Sequence, residues 1–132
     1  MFRNRPFLEW LRYTHRHQLQ ISIIVYAETL LWYRSRGLKR ADLDGELDNL
    51  GIAVTGLSQD LADKTTTNAL VHRSFPFKHR ARDYVIGTSA LENNAALITY
   101  NTDDFRWVAD EGGTVHTPES FLAMQVKSAT TD

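Results

Sequence analysis

The 132-residue chain lacks cysteine, which excludes disulfide bonds and thiolate metal sites and leads us to expect a cytoplasmic location. It also lacks a long apolar run: the longest candidate, Ile21 to Ala27, ends at Glu28, well short of the ~20 residues of a membrane span. The basic N-terminus is not followed by the apolar segment of a signal peptide. With 3 Pro and 7 Gly there is no linker-like tract, so we expect one domain over residues 1–126 and a frayed tail over 127–132.

The formal net charge of −1 hides an alternation of basic and acidic blocks. Residues 1–40 hold eight Arg or Lys against two acids, and residues 71–82 hold four Arg or Lys and no acid. Residues 41–70 and 83–132 are acidic. Such blocks suit a basic surface beside an acidic site, which would serve a polyanionic substrate and a metal ion. Solvated helix faces produce the same pattern, and from charge alone that ordinary interpretation is favoured.

Apolar spacing predicts helices that alternate with short strands. The predicted strands cover residues 19–23, 52–56, 96–100 and, at an edge, 114–117. The predicted helices cover residues 5–18, 24–36, 39–50, 58–73 and 81–93, followed by a short turn over 102–108 capped by Thr102 and a last helix from Pro118 to about Met124. This alternation indicates an α/β domain of three layers, α/β/α, around a mostly parallel sheet.

The same spacing predicts which helix faces are buried. Helix 39–50 should bury Leu43, Leu47 and Leu50 and end at Gly51. Helix 24–36 should turn a second apolar set inward: Ile24, Ala27, Leu30 and Leu31. Helix 58–73, capped by Ser58, should do the same with Leu61, Ala62, Ala69 and Leu70.

Carboxylates follow several of the predicted strands. Glu28 lies one turn into the helix after strand 19–23, within the apolar stretch ISIIVYAETL, and Asp83 is expected to open helix 81–93. Asp104, beside Asp103, follows strand 96–100. Sites in parallel sheets collect beyond the carboxyl ends of strands, and clustered like charges call for a cation. Hard oxygen ligands favour Mg²⁺ or Mn²⁺, which can support metal-assisted hydrolysis.

Each carboxylate, taken alone, also fits an ordinary structural role. Asp83 near a helix start would interact favourably with the helix dipole, and Asp103 and Asp104 would be common first-turn acids. Glu28 would face solvent on a helix with an apolar stripe. Only the three positions together favour a metal site.

Two segments resemble the PIN-domain family, especially the VapC-like toxin ribonucleases. ISIIVYAETL resembles the family's strand-then-helix segment, whose Glu corresponds to Glu28. RDYVIGTSALENNAALITYNTDDF resembles the family's second acidic segment, whose first and last acids correspond to Asp83 and Asp104. The order and spacing of the two segments match over about residues 5–117.

The resemblance implies a Mg²⁺- or Mn²⁺-dependent endoribonuclease of a toxin–antitoxin pair, leaving a 5′-phosphate and a 3′-hydroxyl. Glu28, Asp83 and Asp104, with Asp103 beside them, would bind metal, and Thr99 and Asn101 would support the site. RNA phosphates would be contacted by a basic set: Arg34, Arg36, Lys78, Arg80 and Arg82. An antitoxin protein and a second copy of the chain are expected partners, with Leu30, Trp32 and Tyr33 as the candidate dimer surface.

The resemblance departs from the family at the start of the chain. PIN domains begin with a strand that ends in a metal-binding Asp, and nothing in MFRNRPFLEW resembles it. We expect a fragment or a mis-started reading frame; the alternatives are a strand supplied by another chain, or a domain that has lost the strand. Weak nuclease activity, or a non-catalytic module that binds RNA or a protein, is then expected. Gly87 stands where the family usually has Ala, a mild change.

Overall fold

The computed structural model describes residues 18–72 and 77–131 together with Pro6 and Glu9, and for residues 77–79 and 126–131 it describes the backbone only. Pro6 and Glu9 are helical, and the rest of the predicted helix 5–18 lies outside the described residues. The chain divides into two compact units, Met1–Leu57 and Ser58–Asp132. Each unit combines helices with a two-stranded parallel sheet, so the α/β class and the parallel pairing are confirmed.

The first unit contains strand β1 (Leu19–Ser22), helix α1 (Ile23–Ser35), helix α2 (Arg40–Leu50) and strand β2 (Ile52–Thr55). The two strands pair in parallel from Leu19 opposite Ile52 to Ser22 opposite Thr55. The predicted strands 19–23 and 52–56 are therefore confirmed to within one residue.

Helix α2 supplies the core of this unit as its leucine spacing predicts. Leu43, Leu47 and Leu50 are buried, and Gly51 ends the helix at φ 68°, a left-handed conformation that glycine adopts without a Cβ clash. The remaining members of the cluster come from α1 and the sheet: Ile21, Tyr26, Leu30, Tyr33 and Ile52.

The predicted inward face of α1 is partly wrong. Leu31 is 70% exposed and Ala27 is also exposed, whereas Tyr33 is buried. Because α1 is apolar almost all round, its pattern does not select a face. The structure selects the i, i+4, i+7 stripe of Tyr26, Leu30 and Tyr33, which packs on α2. Tyr33 and Leu30, expected at a dimer surface, thus belong to the core of the first unit, while Trp32 stays exposed.

The second unit begins with two long helices, α3 (Gln59–Val71) and α4 (Phe77–Glu92). Ser58 caps α3 as predicted, since its hydroxyl accepts a hydrogen bond from the backbone N–H of Leu61 at 3.1 Å. The predicted apolar face of α3 is wrong at Ala62 and Leu70, which are exposed. Thr65 is buried instead, because its hydroxyl donates to the carbonyl of Leu61 and so leaves no polar atom unpaired.

Polar contacts join α3 to α4 at several levels. Lys64 Nζ lies 2.6 Å from Glu92 Oε2 at the exposed end. Asn68 Nδ2 donates to the hydroxyl of the fully buried Thr88 at 3.0 Å, and Tyr84 donates its hydroxyl hydrogen to the carbonyl of His72 at 2.6 Å. Burial raises the pKa of Tyr84. These contacts set the register of the two helices.

Four short elements and a final helix complete the unit: strand β3 (Leu97–Ile98), a 3₁₀ turn (Thr102–Phe105), helix α5 (Arg106–Asp110), strand β4 (Val115–His116) and helix α6 (Pro118–Thr131). Strand β3 pairs in parallel with β4, Leu97 opposite Val115. The predicted turn 102–108 is longer in the structure, with Thr102 as its first residue rather than its cap. Helix α6 begins at Pro118 as expected but continues past Met124.

The core of the second unit gathers Tyr84, Phe105, Trp107 and Val108. Helix α4 approaches Trp107 at Gly87, where an added Cβ would lie 2.7 Å from Val108 Cγ2 and closer still to the Trp107 ring. Glycine is therefore required there for packing. This packing draws the 3₁₀ turn and α5 against α4. No helix within the described residues has both the length and the apolar character needed to cross a bilayer.

Candidate metal centre

Asp83 lies in the second turn of α4 and not at the helix start that the sequence predicts. The helix already includes Phe77, because no residue between Phe77 and Asp83 interrupts a helix. The Asp83 side chain is 13% exposed, and Tyr84 and Val85 beside it are buried. A carboxylate this deeply placed requires partners.

Asp104 is placed by the turn that follows β3. The backbone N–H of Asp104 donates to the carbonyl of Asn101 at 3.1 Å, and the N–H of Asn101 donates to the hydroxyl of Thr99 at 3.1 Å. Thr99 is joined to β4 through its own N–H, which donates to the His116 carbonyl. Phe105, buried in the core, anchors the far end of the turn. Thr99 and Asn101 therefore hold the segment that carries Asp104.

The two carboxylates meet at one guanidinium group. Arg80 Nη1 lies 3.3 Å from Asp83 Oδ2 and 3.2 Å from Asp104 Oδ2. The separation of these two carboxylate oxygens therefore cannot exceed the sum of the two distances. Arg82 Nη1 contacts the other oxygen of Asp83, Oδ1, at 2.9 Å. The acids come from different elements, α4 and the turn after β3, and packing of those elements brings them together. We call these four residues the Asp83–Asp104 cluster.

The Asp83–Asp104 cluster is formally neutral, with two carboxylates and two guanidinium groups. Two carboxylates this close repel each other unless a positive charge lies among them. Arg80 supplies that charge, and its side chain, like that of Asp104, is 32% exposed. The cluster can therefore present oxygen ligands and a positive group at one solvent-accessible place.

Asp103 forms an ion pair of its own at the surface. Its carboxylate pairs with Arg106 at 3.0 Å, and both side chains are largely exposed, at 85% and 78%. The sequence does not distinguish the two neighbouring acids, but the structure does. Asp103 pairs with Arg106 at the surface, and Asp104 belongs to the Asp83–Asp104 cluster.

Glu28 lies in the second turn of α1, in the first unit, and its side chain is exposed. Exposure is what the ordinary structural role of Glu28, on a helix with an apolar stripe, predicts. Its role as a metal ligand remains a prediction from the resemblance.

The predicted RNA-contacting residues have different surroundings. Arg34 and Arg36 are exposed at the end of α1, where the Arg36 guanidinium lies 3.8 Å from the centroid of the Trp32 ring. Arg80 and Arg82 contact the carboxylates of the cluster. The side chain of Lys78 lies outside the described residues. The charges of Arg80 and Arg82 are therefore compensated within the cluster, whereas the Arg36 guanidinium lies over an aromatic ring at the surface.

The sequence does not predict that Arg80 contacts both Asp83 and Asp104. The available signal is the i, i+3 spacing of Arg80 and Asp83, which places both on one helix face. No sequence rule links Arg80 to Asp104, because that contact depends on how the turn after β3 packs on α4.

Within the described parts of the chain, no group of three or more Asp, Glu, His or Cys side chains gathers with metal-binding geometry. No protein-family model, no curated protein and no solved structure matches the chain.

Proposed function

We propose that the protein is a metal-dependent endoribonuclease of the PIN, VapC-like type that hydrolyses RNA phosphodiesters. The observation that carries the proposal is the convergence of Asp83 and Asp104 on a single nitrogen of Arg80. These are the two acids that the second PIN-like segment singles out. The proposal includes the finer architecture, a three-layer PIN-like arrangement around a mostly parallel sheet.

The chemistry of the two acids fits Mg²⁺ or Mn²⁺. Mg²⁺ keeps several water molecules and is commonly held by one or two carboxylates together with substrate phosphates. Asp83 Oδ2 and Asp104 Oδ2 would hold the ion, since both oxygens already accept a positive group. When bound, the ion lowers the pKa of a coordinated water and neutralises charge on the phosphate.

The other residues of the site act by positioning. Arg82 holds the second oxygen of Asp83 and so fixes the orientation of that carboxylate. Thr99 and Asn101 hold the turn that carries Asp104. The exposed Arg34 and Arg36 would contact RNA phosphates, because guanidinium groups pair with phosphate oxygens through two hydrogen bonds.

The proposal includes the partners that the PIN resemblance implies: an antitoxin protein and a second copy of the chain. The exposed Leu31 and Trp32 on α1 replace Leu30 and Tyr33 as candidates for the dimer surface, since the latter pack in the core.

The test is an RNA cleavage assay on the full chain with Mn²⁺, with Mg²⁺ and with EDTA. Cleavage should require the metal, leave a 5′-phosphate, and fall at least about a hundredfold in Asp104→Asn, because removing a group that holds the catalytic ion removes transition-state stabilisation. Asp103→Asn is the matched control, since it changes the adjacent acid, which pairs with Arg106 at the surface. Equal loss in both variants, or cleavage in EDTA, would contradict the proposal.

A non-catalytic RNA-binding module is the second candidate. It is supported by the neutral charge of the Asp83–Asp104 cluster and by the lack of a three-ligand group among the described residues. RNA binding that is unaffected by Mn²⁺, with no cleavage at any metal concentration, would favour this candidate.

A further inference from the structure

Arg80 contacts the same oxygens that a divalent cation would use. Its Nη1 atom reaches Oδ2 of Asp83, one helical turn further along α4, and Oδ2 of Asp104 on the turn after β3. Arg82 contacts the other oxygen of Asp83, Oδ1. Arg80 is therefore the group whose position conflicts with a bound ion.

We propose that Arg80 is a displaceable internal counter-ion, which holds Asp83 and Asp104 together and gives way when a divalent cation binds between them. This inference rests on the proposed function, since it concerns the same two carboxylates. Arg80 and the ion compete for the same oxygen lone pairs, so each weakens the binding of the other.

The displacement has a consequence for substrate binding. A guanidinium group that leaves two carboxylates remains attached to α4 beside the ion, where its planar donors can pair with a phosphate oxygen. The Arg80 side chain is already 32% exposed, so this movement requires no opening of the core. Metal binding would thus make a phosphate-binding group available at the place where the ion sits.

The test is a Mn²⁺ titration of the full chain by calorimetry, comparing the parent with Arg80→Met. Methionine keeps an unbranched apolar stem and removes the charge, so Arg80→Met should bind Mn²⁺ about tenfold more tightly than the parent by losing a competing charge-assisted contact. Arg106→Met is the matched control, because it removes one positive charge two residues from Asp104, and that charge pairs with the surface carboxylate of Asp103. It should change the Mn²⁺ affinity by less than about twofold, as expected for screened surface charge.

A parent protein that binds Mn²⁺ with an affinity unchanged or weakened in Arg80→Met would overturn the inference and leave the proposed function standing. Absence of Mn²⁺ binding in the parent and in both variants would reject the proposed function and the inference together. Tightening of equal size in Arg80→Met and Arg106→Met would show a general effect of charge and would also overturn the inference.

A second measurement uses the unmodified chain and so does not depend on the folding of a variant. Mg²⁺ is titrated into protein labelled with ¹³C and ¹⁵N, and the arginine side-chain resonances are assigned by through-bond correlation to the assigned backbone. The Arg80 signals should move on the same Mg²⁺ concentration scale as binding, while the Arg106 signals stay in place. Arg80 signals that stay unchanged at saturating Mg²⁺ would contradict the displacement.

Discussion

At the scale of single residues, Asp83 shows that the effect of a carboxylate on stability depends on the groups it contacts. Considered only as one of several clustered acids, Asp83 should repel its neighbours, and Asp83→Asn should leave the fold intact or slightly more stable. The structure gives Asp83 two guanidinium partners and 13% exposure, which reverses that expectation.

We therefore predict that Asp83→Asn lowers the free energy of unfolding in EDTA by about 1–3 kcal/mol, since charge-assisted hydrogen bonds of a mostly buried group are lost. Urea denaturation followed by circular dichroism measures the change. Asp103→Asn, an exposed site, should change the stability by less than about 0.5 kcal/mol. An Asp83→Asn protein as stable as the parent would show that the contacts of Asp83 with Arg80 and Arg82 do not stabilise the fold.

Gly87 is the second residue whose role depends on its neighbours. By comparison with the PIN family an Ala at this position is a mild change, but here the Trp107 ring and Val108 fill the space that a Cβ would need. Gly87→Ala should lower the free energy of unfolding by about 1–3 kcal/mol through overpacking.

Gly45→Ala is the matched control for Gly87→Ala. Gly45 also lies inside a helix, and an added Cβ there meets nothing within 4 Å. This substitution should raise the stability by about 0.5–1 kcal/mol, because alanine is the better helix former. A urea midpoint that rises in Gly87→Ala, as it should in Gly45→Ala, would contradict the close packing at Gly87.

At the scale of helices and strands, prediction from the sequence succeeds where one feature dominates. The leucine stripe of α2 and the Ser58 cap of α3 are such features, and both are found in the structure. Helix α1 is apolar almost all round, and α3 is rich in threonine, so in each helix more than one face could be buried. Tertiary packing decides which face is buried. Helix α4 starts earlier than its pattern predicts: the Phe-Pro-Phe sequence suggests an interruption, but Phe77 is already helical.

The contact between α3 and α4 predicts a response to alkaline pH. Burial raises the pKa of Tyr84, so the native state favours the neutral phenol that donates to the His72 carbonyl. Its contribution to stability is fully present below the ordinary tyrosine pKa of about 10 and is lost as the pH rises through the raised value.

Tyr84→Phe should therefore be about 1 kcal/mol less stable than the parent at pH 8, from the lost hydrogen bond. It should also lose less stability than the parent as the pH rises above about 10, because the variant has no buried phenol at this site whose neutral form the native state favours. Urea denaturation at each pH measures both effects. Tyr100→Phe, which alters an exposed ring, serves as the control. Parallel stability curves for the parent and Tyr84→Phe would contradict this role of Tyr84.

At the scale of the whole molecule, the near-zero net charge means that the RNA binding of the proposed function would have to come from local groups. Arg34 and Arg36 are exposed, whereas the charge of Arg40 is compensated by Asp44 at 3.2 Å. Arg34→Ala with Arg36→Ala should weaken RNA binding about equally for all sequences and reduce the slope of log K against log salt by up to about 1.4 for single-stranded RNA.

Fluorescence anisotropy with labelled RNA across a range of KCl concentrations measures this slope. Arg40→Ala should reduce it by less, because the neighbouring carboxylate already compensates that charge. Equal slopes for the parent and the double variant would show that RNA binds elsewhere on the protein.

The candidate site was predictable only in part at this scale. The rule that sites collect after parallel strands directs attention to Asp104, and the turn after β3 carries this member of the Asp83–Asp104 cluster. The proximity of Asp104 to Asp83, by contrast, depends on the packing of Phe105, Trp107 and Val108 against α4, and no local sequence pattern specifies this packing. The role of Glu28 as a metal ligand, expected from its place after strand 19–23 and from the PIN resemblance, remains a prediction.

The most direct test of the central claim, that Asp83 and Asp104 form a divalent-cation site, is the effect of Mn²⁺ on the melting temperature of four proteins: the parent, Asp83→Asn, Asp104→Asn and Asp103→Asn. A ligand that binds only the native state stabilises it, so Mn²⁺ should raise the melting temperature of the parent and of Asp103→Asn. The same Mn²⁺ concentration should leave the melting temperatures of Asp83→Asn and Asp104→Asn unchanged. An equal rise in all four proteins, or no rise in the parent, would contradict the claim.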